Sequence, residues 1–273
     1  MEPLKYFPSI TNLSSPANEV IDLHNHILPG LDDGAQTLEE SVEMCRVSFH
    51  DGIRTIVATP HTLNGVYEND RSTILAKVRE LNDTIQTLLS APRDPVDLKI
   101  LPGADVHFSA GVLTQLDREK AITIGDGGKF LSLEFPFQGI PYRAEVILFD
   151  LVAAGIIPII SHPERNLEIA RRPQRYCDMV HMGCLGQLSA MSLTGGFGRG
   201  VRRTAEKLLQ KRLVHFIASD AHSSKRRPPL LSLAVRKAAK IVGEEEAKKM
   251  VTEYPQAVLE GRRPNIPEPN EMQ

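Results

Sequence analysis

A single α/β domain, built on a parallel sheet curved into a barrel one strand short of eight, is the fold class this sequence predicts. Three observations predict it. Seven short segments carry apolar residues on both faces, as strands covered by helices on both sides do. Most are followed by a stretch with apolar residues at helical spacing. The 273 residues suit one barrel of about 250 residues, and no repeat, low-complexity run or long linker divides them.

The first strand, Val20–Leu23, runs into His24-Asn25-His26. Thr37 then reads as a helix N-cap, with Glu40 three residues on and Val42, Met44, Cys45 and Phe49 behind it, a capping-box signature. The second strand, Thr55–Ala58, leads into Thr59-Pro60-His61. Ile74, Leu75, Val78, Leu81, Ile85 and Leu88 then recur at helical spacing. The third strand, Leu98–Leu101, precedes Asp105, and residues 107–128 read as a short helix and a Gly-rich turn rather than a full crossover. The fourth, Phe130–Leu133, ends at Glu134 before a helix over Pro141–Ala154. The fifth, Ile157–Ile160, leads to Ser161-His162 and a helix over Pro173–Met182. The sixth, Leu185–Leu188, ends near Ser189, before a Gly195-Gly196-Phe197-Gly198 turn and a helix over Val201–Gln210. The seventh, His215–Ala218, leads to Ser219-Asp220-Ala221-His222, with helices over Leu230–Val242 and Glu244–Met250 beyond. Residues 1–19 lack the apolar core of a signal peptide and read as a flexible arm. The barrel spans 20–262, and 263–273, rich in Pro and Glu, read as a flexible tail.

Composition excludes several function classes. The net charge of −2 lacks the basic excess of a nucleic-acid surface. No run approaches the roughly 18–20 apolar residues that span a bilayer, so no membrane insertion is expected. Cys45, Cys177 and Cys184 are odd in number and far from any CxxC spacing, which reads as reduced thiols in a cytoplasmic protein.

The chemistry sits where strands give way to loops. Alternate side chains of a strand share a face, so His24 and His26 point the same way. Further strand ends carry His61, Asp105, Glu134, His162, Asp220 and His222, and Asp32-Asp33-Gly34 follows the first strand closely. Barrels of this kind carry their functional side chains at that rim. Imidazole and carboxylate without thiolate suit Zn, Mn, Fe or Mg. Nine ligands exceed one tetrahedral ion and could serve two or three, with Asp105 or Glu134 bridging. Four carboxylates against three divalent ions leave a charge of roughly +2, which attracts a phosphate dianion. Each residue alone has a plainer reading: Asp32 and Asp33 also suit an Asx turn before Gly34. The convergence on strand ends is what points to metal. His50 and His181 fall at helix ends before glycines and suit capping there. His215 starts a strand at the opposite end, and His107, on the same face as Asp105, suits a supporting role.

These motifs resemble the PHP (polymerase and histidinol phosphatase) superfamily, and within it the bacterial PHP-type protein-tyrosine phosphatases of capsule and exopolysaccharide operons. The residues that carry the likeness are Asp22-Leu23-His24-Asn25-His26-Ile27-Leu28-Pro29-Gly30, Asp32-Asp33-Gly34-Ala35 and Ala58-Thr59-Pro60-His61. Asn64-Gly65-Val66-Tyr67, Leu133-Glu134-Phe135, His162-Pro163-Glu164-Arg165-Asn166 and Ser219-Asp220-Ala221-His222 complete them, over about residues 20–260. The resemblance implies a distorted seven-stranded (β/α)7 TIM-like barrel and two or three divalent ions, manganese first, with Fe, Zn, Mg or Co as alternatives. It implies one ion on His24, His26, Asp220 and a share of Asp105, a second on Asp105, Glu134 and His162, and a third on Asp33, His61 and His222, with Asp32 as the alternative to Asp33. Where the family commonly has Glu, this chain has Asp105, one methylene shorter.

Arg165 lies three residues after His162, and Arg227 five after His222. Guanidinium suits bidentate phosphate recognition, and both positions match phosphate-contacting arginines of the resembling family. Lys225 and Arg226 read as a solvated basic loop. Ser192 is a weak candidate phosphate donor, and Tyr67, Phe137 and Tyr142 are candidate pocket walls. The expected reaction is hydrolysis of a phosphate monoester by metal-bound hydroxide, without a cysteine nucleophile, since no Cys-x5-Arg loop exists. The resemblance implies phosphotyrosine on a protein, with a bacterial tyrosine kinase as partner. The alternatives are a small-molecule phosphatase such as histidinol phosphatase, a PHP-type nuclease, and a non-catalytic metal-binding module.

Overall fold

The computed structural model describes residues 19–89 and 96–270. The expected arm, apart from Glu19, and residues 271–273 of the expected tail lie outside them. Among the described residues nine strands run in chain order: β1 (Val20–Asn25), β2 (Ile53–Ala58), β3 (His61–Thr62), β4 (Lys99–Pro102), β5 (Asp105–His107), β6 (Phe130–Glu134), β7 (Ile157–Ser161), β8 (Leu185–Ser189) and β9 (Phe216–Ala218). All pair in parallel, as βαβ connections require. One sheet has the order β1-β2-β4 and the other β3-β5-β6-β7-β8-β9.

Nine segments stand where seven strands are expected because two of the seven are bent. Thr59-Pro60 separates β2 from β3, and Gly103-Ala104 separates β4 from β5. Pro60 has no N–H to give a ladder. The two bent strands pair with each other on both sides of their bends, β2 with β4 and β3 with β5, and so join the sheets. At the other side an isolated parallel bridge, Asn25 to Ala221, brings the end of β1 beside the chain leaving β9. Backbone hydrogen bonds from His26 N to Ala221 O (2.9 Å) and from Asp220 N to His24 O (2.9 Å) hold it there.

The helices are α1 (Leu38–His50), α2 (Arg71–Leu89), α3 (Val112–Asp117), α4 (Ala144–Ala153), α5 (Leu167–Arg171), α6 (Gln174–Met182), α7 (Ala190–Thr194), α8 (Gly198–Gln210), α9 (Ser232–Val242), α10 (Glu244–Lys249) and α11 (Glu253–Leu259). Thr37 caps α1, its Oγ1 accepting from Glu40 N at 3.3 Å. Glu40 does not complete a capping box; its Oε1 accepts from Ser224 N at 2.7 Å and ties down the loop after β9. Helix α4 starts three residues later than expected because Arg143 adopts a left-handed backbone (φ 59°). The core lies under the strands: Ile21, Ile56, Ile100, Leu131, Leu133, Ile160, Leu188 and Phe216 are fully or almost fully buried. Among the described residues no helix is long and apolar enough to cross a membrane. Residues 263–270, expected as part of a flexible tail, run along the body. Arg263 donates to Gly183 O (3.0 Å), and Asn270 N and Nδ2 donate to Lys211 O and Gln210 O (3.0 and 2.8 Å).

Candidate metal centre

The nine residues singled out from strand ends gather at one rim. His24 lies on β1, His26 just past it, His61 on β3, Asp105 on β5 and Glu134 at the end of β6. His162 and Asp220 sit where the chain turns out of β7 and β9, both with positive φ (34° and 52°). Backbone bonds from His162 N to Gln187 O and from Asp220 N to His24 O pin these two turns, as strained backbone at a functional rim requires.

Imidazole tautomers follow from the partners. His26 Nδ1 lies 2.6 Å from Asp32 Oδ2, a group that can only accept while ionised, so Nδ1 carries the proton. His24 Nδ1 meets Gln187 Oε1 at 2.8 Å and donates likewise. Both Nε2 atoms are then bare lone pairs, yet they face each other at 3.0 Å. Two lone pairs aimed at one point have no reason to meet without an electrophile between them. Burial, and then the crowding of the His222, His61 and His24 imidazoles around it, push the His26 pKa well down and keep it neutral.

Asp105 is the hub. Its Oδ1 accepts from Ser161 Oγ (2.5 Å) and Ser132 Oγ (3.2 Å). Its Oδ2 lies 3.7 Å from His24 Nε2, 3.5 Å from His61 Nδ1 and 3.9 Å from His162 Nε2. That oxygen and His61 Nδ1 are buried without a hydrogen-bond partner, at a cost that a cation would offset. Burial would raise the Asp105 pKa, but its contacts with the imidazoles of His24, His61 and His162 carry it well below the usual carboxylate range. Burial would lower His61, but Asp105, Glu134 and Asp32 lift it to about 9. The negative field that favours a charged imidazole there favours a metal cation equally. These donors fit hard or borderline divalent ions.

Ligand atoms lying within 4.8 Å of one another form three groups: His26, Asp33, His61 and His222; His24, His26 and Asp105; and His61, Asp105 and Glu134. His26 and His61 thus stand at junctions that the resemblance-implied grouping keeps apart. His162 Nε2 lies 3.5 Å from Glu134 Oε1. Asp220 Oδ1 lies 3.7 Å from both His24 Nε2 and His26 Nε2. The adjacent Asp32 and Asp33 diverge. Asp32 is spent on orientation, accepting from His26 Nδ1, His61 N (2.9 Å) and Gly34 N (2.8 Å). Asp33 faces His222 Nε2 (3.5 Å) and His61 Nε2 (3.7 Å), and the His222 contact holds its pKa down to about 2. Gly34 permits this turn: a Cβ there would meet His26 O at 2.1 Å.

Arg165 NH1 and Arg227 NH2 each lie 2.8 Å from an oxygen of Asp220, and Ser189 Oγ donates to the same carboxylate (2.9 Å). Burial would raise the Asp220 pKa; His24, His162 and the two arginines outweigh it and hold the group ionised. Both arginines are about a quarter exposed. Tyr67 stacks on His61, 6.3 Å between centroids and 12° between planes. Phe137 lines a small cleft with Glu134, His162 and Arg165, whereas Tyr142 points to solvent at 89% exposure. His107 stands 3.9 Å from Glu134. Lys225 and Arg226 are exposed. His215 is buried away from the rim and accepts from Gly186 N. His181 donates to Cys177 O within its helix.

The hydroxyl of Ser192, a candidate phosphate donor, donates to Glu164 Oε1 at 2.6 Å. Glu164 is fully buried, and burial pushes its pKa up to about 7. Below its ordinary value of 4.5 it is neutral in folded and unfolded chains alike. Between there and about 7 only the unfolded chain releases the proton, so folding stability falls as pH rises. Glu164→Gln is expected to flatten the fall in Tm between about pH 5 and 7.5; an unchanged slope in thermal melts would assign that fall to another group.

Gln187, Ser189, Ser132 and Ser161, none of them a strand-end ligand type, orient His24, Asp220 and Asp105. The signal was there: Gln187 and Ser189 sit two apart in an otherwise apolar strand and so share its inward face. The three cysteines are buried, and burial pushes Cys45 and Cys184 up to about 12, where no thiolate nucleophile exists at neutral pH. Cys45→Ser, Cys177→Ser and Cys184→Ser are each expected to keep turnover within about twofold. Loss of activity in one of them, with metal retained, would count against attack by water.

The chain resembles known proteins over this whole region. The family model for capsular polysaccharide synthesis proteins CpsB/CapC matches residues 20–260. Tyrosine-protein phosphatase YwqE of Bacillus subtilis is 40% identical over 208 residues, 76% of this chain and 79% of that one. Tyrosine-protein phosphatase CpsB of Streptococcus pneumoniae is 28% identical over 245 residues, 88% of this chain and 98% of that one. A crystal structure from work on YwqE of Bacillus subtilis and CpsB of Streptococcus pneumoniae, described as unique metal-dependent tyrosine phosphatases, superposes with a TM-score of 0.85 at 34% identity, covering 93% of this chain and 99% of the other. With the matched region spanning every strand and every residue of the cluster, the chain belongs to the CpsB/CapC family of capsular polysaccharide synthesis proteins.

Proposed function

We propose that this protein is a metal-dependent protein-tyrosine phosphatase of polysaccharide biosynthesis, with residues 20–262 as its catalytic domain. The observation that carries the reading is the meeting of bare imidazole nitrogens and buried carboxylates at one rim, with two arginines held beside them on Asp220. His24, His26, Asp33, His61, Asp105, Glu134, His162, Asp220 and His222 would hold two or three divalent ions, manganese first. When bound, such ions supply Lewis acidity towards the phosphoryl group and lower the pKa of water.

The protein's own residues do the rest. Arg165 and Arg227 each use one terminal nitrogen on Asp220 and keep other N–H donors for phosphoryl oxygens. Arg227 Nε is buried without a partner, as a donor awaiting an anion is. Positive charge fixed beside the departing oxygen offsets the charge that develops there. A phenolate, with an ordinary pKa of about 10, leaves more readily than an alkoxide, which favours tyrosyl over alkyl phosphates. Asp32 and Gln187 hold His26 and His24 in the tautomer that presents Nε2.

The substrate is a phosphotyrosyl protein, with a bacterial tyrosine kinase of the same biosynthetic system as partner, in the cytoplasm. The test compares turnover of a phosphotyrosyl peptide with that of histidinol phosphate, with and without chelator. Preferential, chelator-sensitive hydrolysis of the peptide is expected. Faster turnover of histidinol phosphate would replace this reading with the small-molecule phosphatase, and no turnover of either would favour a binding module.

A further inference from the structure

Phe197 lies in the turn between α7 and α8, and no role in the chemistry follows from its sequence. The turn is held by Gly195 N and Gly196 N donating to Met191 O (3.0 and 2.9 Å) and by Gly198 N donating to Gly195 O (3.0 Å). Gly195 and Gly198 adopt φ of 92° and 91°, a hand that only glycine takes freely, so the turn presents the ring between them at a fixed place. The guanidinium carbon of Arg165 lies 4.8 Å from the ring centroid and that of Arg227 lies 5.4 Å from the same centroid. Both distances are within cation–π range. Arg165 comes from the 3-10 turn Pro163–Arg165 after β7, and Arg227 from the loop after β9. One ring therefore gathers two cations from different strands.

We infer that Phe197 is a positioning residue that sets the spacing of Arg165 and Arg227 for a phosphoryl dianion, an inference that rests on the reading of those arginines as phosphate-binding. Two guanidinium groups bound to one carboxylate repel each other. The Asp220 carboxylate offsets that repulsion from one side and the ring's negative face from another. Long arginine side chains lose much rotamer freedom when fixed. A pair already fixed by carboxylate and ring has lost it before the phosphate arrives, which strengthens binding of ground state and transition state together.

The test uses Phe197→Leu and Phe197→Tyr in the metal-loaded full chain, with kcat, KM for a phosphotyrosyl peptide, Ki for inorganic phosphate, and metal content measured. Phe197→Leu keeps bulk and loses the π face. It is expected to raise KM and Ki about tenfold while metal content stays unchanged, and Phe197→Tyr to restore both to within about twofold. In an Arg165→Gln background the further change Phe197→Leu should cost roughly threefold or less, because half of what the ring holds is gone. Values for Phe197→Leu within twofold of wild type, equal losses with Tyr and Leu, or an undiminished loss in the Arg165→Gln background would each overturn the inference. If Arg165→Gln alone weakens phosphate inhibition while Phe197→Leu does not, only the role of Phe197 fails. If Arg165→Gln changes nothing, the arginine reading fails and this inference with it.

Discussion

Asp105→Asn is expected to lower turnover of a phosphotyrosyl peptide by about 10³-fold or more and to strip bound metal from the purified protein. The side chain keeps its size, so the fold should survive. Oδ1 can still accept from Ser132 and Ser161. What changes is the other atom. Oδ2 faces His24, His61 and His162 at 3.5 to 3.9 Å, and an amide nitrogen there presents N–H groups to their lone pairs instead of negative charge to cations. Metal analysis should show fewer ions per chain, and excess Mn should restore little. Asp105→Glu separates charge from reach: it keeps the carboxylate and adds one methylene, and activity within about tenfold of wild type is expected. An Asn variant with full metal content and near-normal turnover would remove Asp105 from the centre.

Much of this centre is legible in the sequence because it obeys the period of a strand. His24 and His26 share a face by alternation alone, and Glu134, His162 and Asp220 stand at ends of apolar runs that only buried strands explain. Choosing between Asp32 and Asp33 is different in kind. Neighbours on a turn diverge, and which of them meets His26 Nδ1 depends on how the loop 27–36 folds back, fixed by Gly34 packing on His26. The bends at Thr59-Pro60 and Gly103-Ala104 carry Pro and Gly as signals, but where the strands re-pair beyond them is a matter of register across the sheet. Helices α5 and α7, five residues each, are shorter than any window in which a 3.6-residue period can be counted. Phe197 was visible only as part of a glycine-rich turn; its ring matters through two side chains more than 30 residues away on one side and 30 on the other.

Arg165→Gln and Arg227→Gln are each expected to lower kcat/KM for the phosphotyrosyl peptide by about 10²-fold, with metal content retained. Each guanidinium is the charge partner of Asp220, a carboxylate only 2% exposed. With both present, that buried charge is matched from two sides and the remaining N–H donors are free for substrate. With one removed, the other is drawn more tightly to Asp220 and offers less to the phosphoryl group, so the two losses share a cause. The double variant should therefore lose clearly less than the product of the single losses, as groups acting as a unit do. The same geometry predicts a stability signature. In chelator-treated protein each Arg variant should melt below the wild type, because a buried carboxylate has lost a cation it needs. With divalent metal added, the gap should narrow, since a cation held by His24, His26 and Asp220 would supply positive charge to the same carboxylate. Steady-state kinetics, metal analysis and melts with and without chelator check all three. Fully multiplicative losses, or a melting gap that metal leaves unchanged, would show that the arginines and Asp220 do not work as one electrostatic unit.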